Sequence, residues 1–551
     1  MRNQTFIRKY DVWTAITIAI LIIYAVILIY PLFMIIKTSV MVNGGFSFEY
    51  FQKFFSKRYY YGTLFNSMKV TSCVTLASVI ISIPLAYIMT TIKIRGQSLI
   101  QGLIIISMMS PPFIGAYSWI LLLGRNGLIT NFLKNTFHIT PPDIYGFTGI
   151  VLVLTLQLTP LIYLYLMGAF KNIDNSLLEA AESMGCTKFK KLVKIIIPLL
   201  LPTLLSGALL VFMRALADFG TPMLIGEGYM TIPVLIYNEF ISEMGGNDAF
   251  AASISVIVVI FALTLFLIQK YVVNKKAFFM ISMHPIEAKK EKGLRNILAH
   301  AYVYLYIALA FLPQLYVMYT AFLKTSGRIF VKGYSLDSFS IAFDRGSDAM
   351  LNTLKIGVLA LFFVVVLAIL IAYVTVRRRN VLTNLLDIIS MVPYIVPGSV
   401  LGIALLLSFN KPPLLLSGTI MIMAIAFMIR RLPYTIRSSA AMVHQISPSV
   451  EEAAMSLGAT NLKTFFRVTL PIMLPSVISG AILSWVTIIS ELSTSILLYT
   501  GNTRTMTVAI YTEVIRGNYG TAAALATILS LVTIISLLLF FKLSGKKEVD
   551  I

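Results

Sequence analysis

The chain alternates between apolar runs long enough to cross a bilayer and short polar stretches rich in Lys and Arg. A hydrocarbon core needs roughly 20 apolar residues in helical form. Such runs fall at 12–36, 62–92, 98–123, 146–170, 195–218 and 249–273, and a second series at 297–322, 351–376, 385–408, 414–434, 472–497 and 520–542. The pattern predicts an all-α integral membrane protein of about twelve transmembrane helices, six plus six. Two spans are interrupted, the third at Ser110-Pro111-Pro112 and the ninth between Pro393 and Gly398. Broken backbone at membrane depth is tolerated where it packs in protein or lines a cavity, so both breaks read as pathway or hinge elements, or as kinks that help helices pack.

Composition sharpens this picture. Of 551 residues, 58% are hydrophobic and 12% charged. Soluble domains carry about 25% charged residues, so most of this surface faces membrane lipid. The net charge of +21 raises the question of nucleic acid, but the basic residues lie in short clusters between apolar spans rather than on one face, and no nucleic-acid partner is expected. They mark topology instead. Lys188, Lys190 and Lys191, the stretch from Lys270 to Arg295, and Arg377-Arg378-Arg379 fall on one side, whereas residues 219–250 hold no Lys or Arg. Both termini of this multi-pass chain are therefore expected in the cytoplasm. Cys73 and Cys186 lack metal-ligand spacing, and His138, His284, His300 and His444 are far apart. No cofactor is predicted.

An internal repeat follows from comparing the loops after the fourth and tenth spans. Ser176-Leu-Leu-Glu-Ala-Ala-Glu-Ser-Met-Gly185, then Pro198 and Pro202, aligns without a gap to Ser449-Val-Glu-Glu-Ala-Ala-Met-Ser-Leu-Gly458, then Pro471 and Pro475, at a constant offset of 273 (449 − 176, 458 − 185, 475 − 202). Six spans repeated in parallel imply a pseudo-two-fold axis along the membrane normal. The expected divisions are an N-terminal span and outer loop (1–61), a first membrane domain (62–273), a linker (274–296), a seventh span and outer loop (297–347), a second membrane domain (348–542) and a tail (543–551). In each loop Ser and Glu three apart, Ser176 with Glu179 and Ser449 with Glu452, predict a capping box opening a short helix. Gly185 and Gly458 then end it.

These paired loops resemble the EAA loop of type I ABC importer permeases: Glu-Ala-Ala, three residues, Gly, and Pro thirteen residues later. The resemblance implies the type I ABC permease fold and a coupling helix that seats in a cytoplasmic ATPase. By position that role falls to Glu179, Ala180, Ala181 and Gly185, and to Glu452, Ala453, Ala454 and Gly458. Implied partners are two copies of an ABC ATPase and an extracytoplasmic solute-binding protein. The fused layout, Ala217-Asp218-Phe219-Gly220-Thr221-Pro222 and Glu491-Leu492-Ser493 are similar to the ferric-iron permeases; fused thiamine and phosphonate permeases share the layout. A major-facilitator transporter would carry Asp-Arg-x-Gly-Arg-Arg where this chain has Lys93-Ile-Arg-Gly96. A lipid-phosphate enzyme would need clustered acids or histidines, which the inner loops lack. No Gly-x-x-x-x-Gly-Lys-Ser/Thr loop occurs, so ATP hydrolysis would belong to a partner and the chain itself is not an enzyme.

Two acids within spans are candidates for the substrate path. Asp218 and Glu491 also differ by 273 and lie about 20 residues beyond the proline opening each span, which places them near the outer mouth at 1.5 Å per residue. Ferric ion prefers oxygen ligands, and ionisable groups inside spans are functional candidates. Arg214, four residues before Asp218, offers that acid a local ion pair. Glu491 has Thr487 at the equivalent place and ranks first.

Overall fold

The computed structural model describes residues 11–42, 44–109, 112–241, 246–275, 284, 286, 288–327 and 329–544. Among these, nine helices are long and apolar enough to cross a membrane, or eleven when each of two sharply bent helix pairs counts as one span. The bent pairs are the predicted third and ninth spans. Gln97–Met108 meets Phe113–Phe137 at 100°, and Val381–Tyr394 meets Gly398–Phe409 at 110°. Ser110 and Pro111 lie outside the described residues, as do 276–283, 285 and 287 of the linker 274–296. The tenth predicted span, 414–434, is a longer helix, Ile420–Gln445. Arg430, Arg431 and Arg437 make it too polar to stand among the apolar spans.

Prolines shape three helix entries in the same way. A wide π-helical turn, Ala25–Ile29, Leu192–Ile196 or Phe465–Thr469, ends two residues before Pro31, Pro198 and Pro471 respectively. A proline ring clashes with the carbonyl four residues back and offers no N–H. The carbonyls in question, Ile27, Lys194 and Arg467, all fall inside the wide turns, where the extra residue makes room.

Each half lends its first helix to the other. The N-terminal helical segment Val12–Val40 packs against the second-half helices Val381–Met391 and Gly398–Phe409 and against Asp248–Lys275. Leu294–Thr320, which opens the second half, packs against Gln97–Met109 and Pro112–Leu123 of the first, with Tyr302 and Tyr306 donating to the carbonyls of Ile81 (2.9 Å) and Leu156 (3.3 Å). Trp13 is buried between Tyr373 and Phe465, with ring centroids 4.5 and 5.0 Å away. Trp13→Ala would leave a cavity there, so a loss of about 3–5 kcal/mol is expected. A lowered midpoint for thermal unfolding of the purified chain in detergent checks it; an unchanged midpoint would mean that this crossed packing contributes little.

Candidate functional site

Two exposed short helices stand at equivalent places, Asn175–Ser183 and Pro448–Ser456. Their starts differ from the capping boxes expected at Ser176 and Ser449. In the first, Asp174 is the cap and accepts from the Ser176 amide at 2.9 Å, while Glu179 accepts from Asn175 Nδ2 at 2.7 Å. In the second, Ser447 precedes Pro448 at the first helical position, and Ser449 exchanges a hydroxyl contact with Ser447 at 2.7 Å. Asp174 and Pro448 are stronger start signals than a serine one or two residues later, because aspartate accepts as a cap and proline arrives with helical φ.

Both helices end as expected. Gly185 and Gly458 have φ of +79° and +87°. Their amides donate to Glu182 and Met455, and those of Cys186 and Ala459 to Ala181 and Ala454, in matching six-residue closures. The turn leaves Met184 82% and Leu457 90% exposed, again 273 apart, beside exposed Glu179, Ala180, Glu452 and Ala453. The anchors behind them differ. The first loop buries Leu178 and pairs Glu182 with Lys191 at 2.5 Å. The second buries Glu451, which accepts from Arg377 at 3.1 Å, Thr469 at 3.0 Å and Tyr373 at 3.4 Å.

A second cluster gathers around Glu491. Glu491 is 4% exposed and accepts from both Arg430 and Arg431. Arg430 also donates to Thr494 Oγ1 at 3.1 Å. The two arginines and Tyr434 occupy the middle third of Ile420–Gln445, so Glu491 packs against the middle of that helix. The helical segment that leads to it, Asn461–Ile489, starts ten residues before Pro471. The anticipated Arg214–Asp218 pair is not formed. Arg214 donates to Tyr434 Oη of the other half at 3.0 Å.

Asp218 instead accepts from the Thr221 amide at 2.9 Å, as Glu491 accepts from the Thr494 amide at 3.1 Å. The two threonines are again 273 apart, and in both halves the acid caps the turn that ends its helix. Gly220 lies against Phe113 and Leu492, which brings the Asp218 turn to the Glu491 turn and to the helix after the first break. Gly398, closing the second break, lies so near Arg430 that an added Cβ would collide with its guanidinium and stand 2.7 Å from Thr494 Oγ1. Both acids and both breaks thus converge. Gly398→Ala is expected to push Arg430 from Glu491 and to cut transport at least about tenfold, about 1.4 kcal/mol by the standard conversion; uptake in proteoliposomes measures it, and wild-type uptake would show that the arginine yields freely.

Sequence reasoning missed Arg430, Arg431 and Tyr434. The signal was present, since two adjacent arginines inside a predicted span are functional candidates. Among the described residues no group of three or more His, Cys, Asp and Glu is placed to hold a metal.

Comparison with known proteins gives these features a context. The family model of the binding-protein-dependent transport system inner membrane component matches residues 79–277 and 295–547, one match per half. A ferric transport system permease protein of Actinobacillus pleuropneumoniae is 28% identical over 541 residues, covering 97% of this chain and 78% of that protein. A putative ferric transport system permease protein of Haemophilus influenzae is 27% identical, covering 90% of this chain and 79% of that protein. A putative 2-aminoethylphosphonate transport system permease protein of Salmonella typhimurium is 26% identical, covering 46% of this chain and 90% of that protein. The chain is multi-pass and carries the permease unit twice, and it belongs to the family of binding-protein-dependent transport system inner membrane components, in the fused two-half form of an ABC importer permease.

Proposed function

We propose that the chain is the permease of an ATP-driven importer that takes ferric iron from an extracytoplasmic binding protein into the cytoplasm by alternating access. The observation that carries this reading is the pair of exposed helices. Glu179, Ala180 and Gly185, with Glu452, Ala453 and Gly458, present matching surfaces, each beside a bare apolar side chain, Met184 or Leu457, while Ala181 is buried behind the first surface and Ala454 is half-buried behind the second. Large exposed apolar residues beyond the spans mark a docking surface, and two equivalent surfaces suit two copies of one cytoplasmic ATPase. On this reading the loops and both termini face the cytoplasm, and the partner hydrolyses ATP.

Asp218 and Glu491 belong to the path. Each holds the turn at which its helix ends, and cargo passes when these turns part. Iron is favoured over a phosphonate because the ferric relatives align over nearly the whole chain and the phosphonate relative over about half of it. The test is ATP-dependent uptake of radiolabelled ferric iron into proteoliposomes holding this chain, its ATPase and its binding protein, with thiamine and 2-aminoethylphosphonate as competitors. Iron entry resistant to both supports the proposal. Accumulation of either competitor without iron would discard the iron assignment.

A further inference from the structure

A path for a trivalent cation should be lined by oxygen anions, yet the middle of this one carries three guanidinium groups against two carboxylates. Arg430, Arg431 and Tyr434 fall within one turn of Ile420–Gln445, and Arg214 reaches Tyr434 from the other half. Glu491 serves two of the three arginines. Arg214 makes no ion pair among the described residues; its contacts are the Tyr434 hydroxyl and ring, the latter 5.9 Å from the guanidinium carbon. Arg431 keeps its Nε buried with no hydrogen-bond partner. Asp218 is committed to the Thr221 amide.

The repeat argues against a merely structural origin for this charge. At the same offset of 273, Arg430 and Arg431 correspond to Gln157 and Leu158, while Arg214 corresponds to Thr487. Each half therefore builds the same scaffold without the other's arginines. The neighbouring Pro160 and Pro433, and the capping pairs Asp218 with Thr221 and Glu491 with Thr494, keep the symmetry that the arginines break. Cations held short of counter-charge among membrane helices are costly and are functional candidates by default. Guanidinium groups with free N–H edges suit the oxygens of carboxylate, carbonate, phosphate or phosphonate.

We infer that Arg214 and Arg431, beside Tyr434, form a site for a small oxyanion, and that the metal crosses as an oxyanion-capped complex instead of a bare cation. The second clause rests on the iron reading; the site itself does not. Glu491 holds the arginines in the closed arrangement, and the oxyanion takes over Arg431 and Arg214 as the turns part. The same site would accept the headgroup of a phosphonate as cargo.

The test loads the complete transporter in proteoliposomes with ⁵⁵Fe and, in separate arms, [³²P]phosphate or [¹⁴C]citrate as the sole oxyanion. The expected result is one oxyanion entering with each iron, a fall of at least tenfold in both labels for Arg214→Gln, and retention of most uptake by Arg214→Lys. Iron that enters with neither oxyanion, or enters R214Q vesicles at the wild-type rate, overturns the proposal. If wild-type vesicles take up labelled 2-aminoethylphosphonate and no iron, the iron reading fails on its own. Loss of that phosphonate uptake in R214Q then supports the site, and unchanged uptake overturns it. If no cargo enters, equilibrium dialysis of [³²P]phosphate against the complete transporter decides: binding weakened about tenfold by R214Q supports the site, while absent or equal binding overturns it.

Discussion

Glu491→Gln is expected to remove most of the folded transporter from the membrane. The carboxylate is 4% exposed and is the acceptor for both Arg430 and Arg431. Glutamine leaves two largely buried guanidinium groups with a neutral partner, and breaking a buried pair from one side costs about 3–5 kcal/mol. The loss should show as a lower yield of monodisperse protein and a lower melting midpoint in detergent. Arg430→Gln combined with Glu491→Gln should recover part of it, since the double variant removes one cation with the anion. A Glu491→Gln protein that melts like wild type but no longer transports would transfer the carboxylate from holding the helices together to contacting cargo.

The opposite signature is expected at the paired loops. Glu179→Ala with Glu452→Ala should leave melting unchanged, because both side chains are exposed and the only side-chain hydrogen bond either makes among the described residues is the one Glu179 accepts from Asn175. Exposed substitutions of this kind usually stay within about 0.5 kcal/mol. Substrate-stimulated ATP hydrolysis by the reconstituted complex should nevertheless fall at least about tenfold. Full stimulation in the double variant would remove these helices from the docking role. Glu451, one residue before Glu452, is the natural contrast. It is tied to Arg377, Tyr373 and Thr469, so its replacement should act through stability.

The spans were legible in the chain because apolar length is a one-dimensional property that a bilayer reads directly. Proline spacing was equally plain: Pro198 with Pro471 and Gly185 with Gly458 announced both the duplication and the helix ends. What went astray involved competition between neighbours or between halves. Ser176 and Ser449 have the pattern of a capping box, yet Asp174 and Pro448 start the helices first. Arg214 stands at ion-pair spacing from Asp218 and binds Tyr434, because at the end of its helix a partner from another element is nearer in space than one along the chain. Arg430-Arg431 passed as an ordinary stretch of a span until folding brought Glu491 to them.

Hydropathy, the 273-residue offset and the turn glycines are properties of the chain, and they alone specify a duplicated, many-helix membrane protein with two matched loops. Which charges meet, which half lends its first helix to the other, and the gathering of the two breaks with both acids emerge only on folding. The reason is physical: a buried charge is satisfied by whichever partner the packing of helices brings within about 3 Å, and residue spacing carries no record of a contact formed between elements far apart in the chain.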